Sequence, residues 1–307
     1  MMIESRLKKV LNGGTFAVTA ECGPPKGADP EVIRKKGSLL KGYVDSVNVT
    51  DNQTGVVRLS SLASCAILRE EGLDPVLQMV TRDRNRIALQ SDVLGASALG
   101  IRNILCLSGD HQTLGNQPAA KGVFDLDSMQ LLQVVRQMRD KGIVLGGDQL
   151  SSMPELFIGA VENPFGDPRN YRVARLAKKV RAGAEFIQTQ CIYNLPAFKE
   201  FMKEVCDKGL DEKVFILGGI TPIKSARMAE YMKNNVAGMD VPEEVIARVK
   251  AVPAKEQRQE GIKIAVETIQ ALKEIKGVHG VHIMAIEWEE AVPELVEKAG
   301  LFPRPAV

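Results

Sequence analysis

Eight short apolar runs, separated by helical stretches, limit most strongly how this chain can fold. Each run is bounded by turn residues, and most end at or near a polar side chain. Strands that alternate with helices predict a parallel sheet with right-handed crossovers. Eight such units in 307 residues predict an α/β fold, a single (β/α)₈ barrel of the TIM type. The predicted strands are Thr15–Glu21, Ser46–Asp51, Val76–Val80, Ile104–Asp110, Leu156–Glu162, Phe186–Gln190, Val214–Gly218 and Val281–Ile286.

The stretches between these runs carry helical periodicity and tend to end before glycine, which favours a helix C-terminus. The segment Met1–Val10 predicts an additional N-terminal helix. Gly142–Gly147 (GIVLGG) resembles a ninth strand, but we interpret it as part of the connection into the fifth. We therefore predict one barrel domain over residues 1–307. The clearest helices are predicted at Arg58–Gly72, Arg84–Leu99, Arg169–Ala182 and Lys255–Lys276.

Composition excludes several classes of function. The chain has 45% hydrophobic and 25% charged residues, and its 40 basic and 38 acidic residues leave a net charge of +2. Such a balance provides no field to attract nucleic acid or an anionic membrane. No run approaches the ~20 apolar residues of a membrane span, and the start lacks a signal peptide, so we expect a cytoplasmic protein. Five unclustered cysteines and three histidines predict neither a disulfide framework nor a metal site.

A barrel of this type carries its site where the strands end. Carboxylates, amides and hydroxyl groups follow the predicted strands, with little net positive charge and one large aromatic side chain. Motifs for a serine hydrolase or a zinc protease are absent from the sequence. This composition suits proton transfer around a cofactor or a nitrogen heterocycle. The residues at these ends are Glu21, Thr50, Asp51, Thr81, Arg82, Ser108, Gly109, Asp110, Glu162, Asn163, Gln188, Gln190, Gly218, Gly219, Thr221, Glu287 and Trp288.

Two carboxyl groups each have two interpretations. Glu21 is either a solvated residue of the barrel rim or an acid whose pKa is raised by apolar neighbours. Asp110 is either a turn former or a carboxylate that faces a polar cofactor, with Gly109 allowing close backbone approach. Gln188 and Gln190 lie on the same side of their strand by alternation, which makes them candidates to line the lumen.

Five motifs in order give the chain a resemblance to the methylenetetrahydrofolate reductase family, from Thr15 to about Leu301. A first strand ends in Glu and runs into Pro-Pro at residues 19–25 (TAECGPP), and a second follows at 45–50 (DSVNVT). Residues 100–110 (GIRNILCLSGD) are similar to the family pattern GI-x-x-I-x-x-L-R-GD. Residues 178–190 (KKVRAGAEFIQTQ) are similar to K-x-x-AGA-x-x-x-x-TQ, and residues 218–222 (GGITP) to G-I-x-P.

The resemblance implies a flavin, usually FAD, and reduction of 5,10-methylenetetrahydrofolate to 5-methyltetrahydrofolate. It places the catalytic acid on Glu21, where it would protonate nitrogen 10 of the folate. Asp110 would lie near the flavin and the pterin, and Gln190 would hydrogen-bond the pterin. Flavin contacts are implied for Thr50, Gln78, Gly109, Asp110, Lys178 and Lys179.

Several departures from the family pattern affect the cofactors. Ser108 replaces an Arg expected at the flavin phosphates, and Gln78 stands where some members have His, so FMN is an alternative to FAD. Met232 replaces an aromatic residue that stacks on nicotinamide in some members, which weakens the expectation of direct use of NADH or NADPH. Trp288 stands in place of a folate-binding Arg, and the folate could stack there.

These departures leave two rival hypotheses. In the first, the barrel is a folate-reducing subunit of an oligomer or larger complex and takes its electrons from a redox partner subunit. In the second, it is a different barrel enzyme, such as a pterin-binding transferase, which a flavin absorption spectrum of the purified protein would exclude.

Overall fold

A computed structural model describes residues 4–307 of the chain. Eight parallel strands, hydrogen-bonded in chain order, close into a barrel in which β1 pairs with both β2 and β8. The predicted (β/α)₈ fold is confirmed. The strands are β1 Ala17–Cys22, β2 Ser46–Val49, β3 Pro75–Val80, β4 Asn103–Leu107, β5 Phe157–Glu162, β6 Phe186–Cys191, β7 Phe215–Ile220 and β8 Val278–Ile283.

Helices follow the strands and cover the outside of the barrel. Their ends obey local chemistry: the Asp127 side chain and Gln130 form a capping box at the start of α5, and Gly142 ends that helix with a φ of 65°. The helices are α1 Arg6–Asn12, α2 Pro30–Leu40, α3 Ser61–Glu70, α4 Arg86–Ala98, α5 Ser128–Lys141, α6 Arg172–Ala182, α7 Leu195–Asp207, α8 Ala226–Asn235, α9 Glu243–Lys250, α10 Gln257–Lys273 and α11 Ala291–Lys298.

Predicted and observed boundaries differ mainly at the ends of elements. The N-terminal helix begins at Arg6, and the first three residues of its predicted range lie outside the described residues. Residues Arg169–Tyr171 form a 3₁₀ turn, so α6 begins later than predicted. The ambiguous Gly142–Gly147 segment contains one isolated bridge, from Ile143 to Gln149, and is a connection as interpreted.

The amino-terminal end of the barrel is closed by α1. Its apolar side chains pack against inward-facing residues of the strands, where the rings of Phe157 and Phe186 stack with centroids 4.9 Å apart. The ring of Phe186 fills the space where a side chain at Gly159 would lie, since a Cβ there would come within 2.2 Å of it. This plug leaves the carboxyl end of the barrel as the place for polar chemistry. Its buried members are Leu7, Val10, Leu11, Ala17, Val76, Leu105, Phe157, Phe186 and Leu217.

Two helices, α8 and α9, lie together between β7 and β8 and form an apolar cluster of their own. Met232 of α8 is buried in this cluster, and its sulfur accepts a hydrogen bond from the Tyr193 hydroxyl at 3.7 Å. Within residues 4–307, no helix is both long enough and apolar enough to cross a membrane.

Candidate active site

A layer of polar side chains lies inside the barrel above the apolar plug. The amide groups of Gln188 and Asn48 exchange two hydrogen bonds of 2.6 and 3.0 Å across the lumen, and Gln188 also donates to the Thr19 hydroxyl at 3.2 Å. Thr19 in turn lies 2.9 Å from Nδ1 of His282, its neighbour on β8. All four residues are buried, so this network fixes the orientation of the groups above it.

His282 is the only ionisable member of this network. Burial lowers the pKa of His282 to about 3. The imidazole is therefore neutral at physiological pH, and it can donate one hydrogen bond and accept another. It lines the cavity above the layer, where a neutral donor or acceptor suits an uncharged heterocycle.

Glu21 faces the lumen two residues after Thr19, next to Asn48 in the β1–β2 ladder. Its carboxyl group lies on the wall shared by two cavities at the carboxyl end of the barrel, of about 260 and 510 Å³. The smaller, which we call the deep cavity, extends over β3 to β6. The larger, which we call the outer cavity, lies between the segments that follow β1, β2 and β8.

The protonation of Glu21 follows from these surroundings. Burial and the negative charge of Glu289 raise the pKa of Glu21 to about 7, while the positive charge of Lys36 opposes the rise. The carboxyl group therefore holds a proton near neutral pH and can also release it. The prediction of a raised pKa agrees with the structure, although the apolar neighbours are only part of the cause.

The deep cavity combines amide groups with apolar walls. Gln78, Gln188 and Gln190 line it, which agrees with the predicted alternation on β6. The Gln190 side-chain oxygen accepts a 3.0 Å hydrogen bond from the Cys191 backbone N–H, which orients its amide. Such a lining suits a flat ring with polar edges. Its apolar contributors are Leu105, Leu107, Val161 and Met284.

Gly109 and Asp110 lie beyond the end of β4. Gly109 has a φ of 85° and packs so closely on Val80 that a Cβ would lie 3.1 Å from that side chain, which explains the glycine. Asp110 is exposed, and its carboxylate accepts a 3.1 Å hydrogen bond from the backbone N–H of Thr54. The structure thus places Asp110 at the contact between the loops after β2 and β4, and Asp110 lines neither the deep cavity nor the outer cavity.

Two threonines lie at the ends of β2 and β3, and neither lines the deep cavity or the outer cavity. The hydroxyl groups of Thr50 and Thr81 are buried, and neither has a hydrogen-bond partner among the described residues. A buried hydroxyl without a partner costs about 1–3 kcal/mol, which a bound molecule can offset. The amide and apolar lining of the deep cavity, without these two hydroxyl groups, suits the ring portion of a flavin.

The two lysines of the predicted flavin site lie in different surroundings. Lys179 is buried and donates hydrogen bonds to the Glu162 carboxylate, at 3.0 Å, and to the backbone carbonyl of Val161. Glu162 and Val161 line the deep cavity, so Lys179 lies directly behind its wall. Lys178 is exposed, contacts the Tyr171 hydroxyl and borders a groove between α5 and α6. The structure does not bring Lys178 to the deep cavity.

Trp288 is half-buried beside the outer cavity, and the guanidinium of Arg258 lies 5.6 Å from the centre of its ring. Its chain neighbours Glu287 and Glu289 line that cavity, whereas Trp288 packs against the apolar core. A folate that stacks on this ring would have to displace Arg258.

Sequence reasoning missed several residues that shape the site. Lys36 lies within a helix and Glu289 in a loop, and neither belongs to a recognisable motif. The available signal for His282 was its place within the eighth predicted strand. The missed residues are Lys36, Asn48, His282 and Glu289.

A titratable carboxyl group lies at the open end of a (β/α)₈ barrel, beside a cavity of amides and apolar side chains, which is where enzymes of this fold carry their active sites. The family model described as Methylenetetrahydrofolate reductase matches residues 6–300. The chain therefore belongs to the methylenetetrahydrofolate reductase family, as its motifs predict.

Curated relatives carry the same family name. The chain is 21% identical to the probable methylenetetrahydrofolate reductase (NADPH) of Caenorhabditis elegans, over 98% of this chain and 45% of the relative. It is 24% identical to methylenetetrahydrofolate reductase 2 of Schizosaccharomyces pombe, over 99% of this chain and 48% of that relative. It is 26% identical to methylenetetrahydrofolate reductase (NADH) 1 of Arabidopsis thaliana, over 98% of this chain and 51% of that relative. The chain spans about half the length of these relatives.

Solved structures share the fold. An uncharacterized protein from Clostridium thermocellum, described as binding two copies of 5-methyl-5,6,7,8-tetrahydrofolic acid, superimposes with a TM-score of 0.65 at 16% identity, over 94% of this chain and 97% of that one. A 2,3-dimethylmalate lyase superimposes with a TM-score of 0.51 at 11% identity, over 92% of this chain and 80% of the lyase. At these identities the likeness concerns the barrel alone.

Proposed function

We propose that this chain reduces 5,10-methylenetetrahydrofolate to 5-methyltetrahydrofolate with the help of a bound flavin. The observation that carries the proposal is the position of Glu21, a carboxyl group with a pKa of about 7 on the wall between two cavities. Membership of the family supports the reaction, and the lining of the deep cavity supports a heterocyclic substrate and cofactor.

In this proposal Glu21 is the general acid. Its proton passes to nitrogen 10 of the folate, which opens the five-membered ring and leaves a 5-iminium cation on the substrate. A carboxyl group serves this step well when its pKa is near the working pH, because it is protonated before the step and a stable carboxylate after it. Glu21 then regains its proton from water through the outer cavity.

Amide groups orient the substrate in the deep cavity. Gln190 binds the pterin through its side-chain amide, and the neutral imidazole of His282 is close enough to the same cavity to accept or donate a further hydrogen bond. Trp288 remains a candidate for contact with the rest of the folate, beside the outer cavity. Apolar side chains on the opposite wall exclude water from the ring faces.

When bound, a flavin would provide the reducing equivalent, as hydride, for the methylene carbon of the folate. We propose that Gln78, which lines the deep cavity, holds it together with Thr50, Gly109, Asp110 and Lys179, the last of these through Glu162 in the cavity wall. The exposed Lys178 is left out of this set. FAD is the cofactor typical of the family.

The phosphate end of the cofactor has weaker support than its ring. Arg82, at the end of β3, is almost fully buried and already binds the Asp83 carboxylate and two backbone carbonyls. Together with Ser108 in place of the expected Arg, this keeps FMN as the alternative, and the mass of the cofactor released from purified protein decides between them.

Replacement of Glu21 by Gln tests the proposed function. The amide keeps the shape of the side chain but cannot give a proton, so reduction of the folate by the prereduced, flavin-loaded protein should slow about 10²–10⁴-fold. Reduction of the flavin by dithionite or a viologen dye should be unchanged. Stopped-flow absorbance of the flavin measures both half-reactions. A loss of less than about tenfold in the folate half-reaction would contradict the role of Glu21 as the acid.

A further inference from the structure

Lys36 of α2 and Glu289, just before α11, form an ion pair in the wall of the outer cavity. Lys36 Nζ lies 2.5 Å from Glu289 Oε1, and the two side chains are only 22% and 7% exposed. The same ammonium group donates a 3.0 Å hydrogen bond to the backbone carbonyl of Gly23. Both residues line the cavity that Glu21 also lines.

This ion pair connects three parts of the barrel mouth. Gly23 follows Glu21 by two residues, so the Lys36 ammonium ties the exit of β1 to α2 and to the segment after β8. A carboxylate as buried as Glu289 is stabilised by a partner of opposite charge. Lys36 is that partner, and the ion pair therefore lies in the same cavity wall as the Glu21 carboxyl group.

On the basis of the proposed function, we propose that Lys36 and Glu289 are a positioning pair for the acid. Glu289 keeps the Glu21 carboxyl group protonated until the substrate arrives, and Lys36 holds Glu289 in place and limits its effect. Both residues act through Glu21, without contact with the reacting atoms.

Other charged and titratable groups face the two cavities that meet at Glu21. The charges that act on Glu21 are those of the ion pair: Glu289 raises the pKa of Glu21, and Lys36 lowers it. His282 is neutral, and Glu162 is bound by Arg175 and Lys179 on the far side of the deep cavity. The remaining groups belong to the segments after β1, β2 and β8, and they are Lys26, Arg58 and Glu287.

The titration of Glu21 itself tests the pair without any folate. Difference infrared spectra collected across a pH series show the C=O band of a protonated carboxyl group, and the band that Glu21→Gln abolishes belongs to Glu21. Glu289→Gln should lower the midpoint of this band by about one pH unit, since it removes a like charge. Lys36→Met should raise the midpoint. The control Glu290→Gln removes the exposed neighbouring carboxylate and should leave the midpoint in place.

An exchanged pair, Lys36→Glu combined with Glu289→Lys, separates charge from shape. It retains an ion pair but puts the positive charge at position 289, so a stably folded protein should show a lowered midpoint. In the folate half-reaction, the basic limb of the pH profile should move in the same direction as the midpoint for every variant. Midpoints that stay unchanged in Glu289→Gln and in the exchanged pair would overturn the inference. If the midpoints move but the wild type never reduces folate, the proposed function fails and the pair stands.

Discussion

At the scale of single residues, Glu21 shows how much of a side chain's chemistry comes from distant parts of the chain. Its place at the end of an apolar strand could be predicted from the sequence, and so could a raised pKa. Glu289 and Lys36, which adjust that pKa, could not be predicted. They come from a loop near the other end of the chain and from the middle of a helix, and only barrel closure brings them together.

The raised pKa of Glu21 also affects stability. The folded state binds this proton more tightly than the unfolded chain, whose carboxyl groups have a pKa of 4.5, so the free energy of unfolding falls as the pH rises from about 4.5 to about 7. Glu21→Gln removes this loss. We expect the variant to be more stable than wild type by roughly 1–3 kcal/mol at pH 8, and equally stable at pH 4.

Urea unfolding between pH 4 and pH 8, followed by circular dichroism, measures this difference. Glu290→Gln, which removes an exposed carboxylate near the same cavity, serves as the control and should run parallel to wild type. A Glu21→Gln variant that also ran parallel to wild type would show that Glu21 titrates normally in the folded protein.

At the scale of elements, the eight strands and the four clearest helices were predicted to within a few residues, because each is set by local periodicity and by its ends. Contacts between loops were not predictable. The loops after β2 and β4 meet so closely that a Cβ at Gly115 would lie 1.9 Å from the Gly55 carbonyl oxygen, and this contact places Asp110. Neither loop carries a sequence motif that predicts contact with the other loop.

Another such contact holds the C-terminal segment to the first two strands. Arg304 binds the buried Asp45 carboxylate at 2.6 Å and also donates to the carbonyls of Phe16 and Leu301, while the backbone N–H of Val18 donates to Asp45. Arg304→Ala should therefore cost about 3 kcal/mol in the free energy of unfolding, because it leaves a buried carboxylate without its main partner.

Chemical denaturation of paired variants measures this cost. Lys298→Ala breaks an exposed pair with Glu294 and should cost less than about 1 kcal/mol. The double variant Arg304→Met with Asp45→Asn should recover part of the loss, since no buried charge remains. An Arg304→Ala variant no less stable than Lys298→Ala would refute the importance of this contact.

At the scale of the whole molecule, the barrel and the end that carries its site follow from the sequence, while the source of its electrons does not. The position where some family members carry an aromatic residue that stacks on nicotinamide holds Met232 in this chain. The structure buries the Met232 side chain in the α8–α9 cluster, in contact with Tyr193. Neither cavity at the barrel mouth has a lining residue from α8.

We therefore predict that this chain alone oxidises NADH and NADPH slowly and works with a redox partner subunit. Loss of an aromatic stacking partner costs on the order of 0.5–1.5 kcal/mol, or up to about tenfold in nucleotide affinity. Rapid mixing of the flavin-loaded protein with each nucleotide, with a viologen dye as the control donor, follows bleaching of the flavin. Bleaching within one turnover at sub-millimolar NADH or NADPH, as the names of two relatives suggest for those proteins, would disprove this prediction.

The apolar plug formed by α1 closes the amino-terminal end of the barrel, so the cavities at Glu21 open at the carboxyl end. Leu7, Val10 and Leu11 form one apolar cluster with Phe157 and Phe186, and among residues 4–307 this cluster fills the amino-terminal end of the lumen. A molecule that reaches Glu21 therefore enters and leaves at the carboxyl end of the barrel. In the reaction that we propose, the folate and its reduced product would therefore pass through the same end of the barrel.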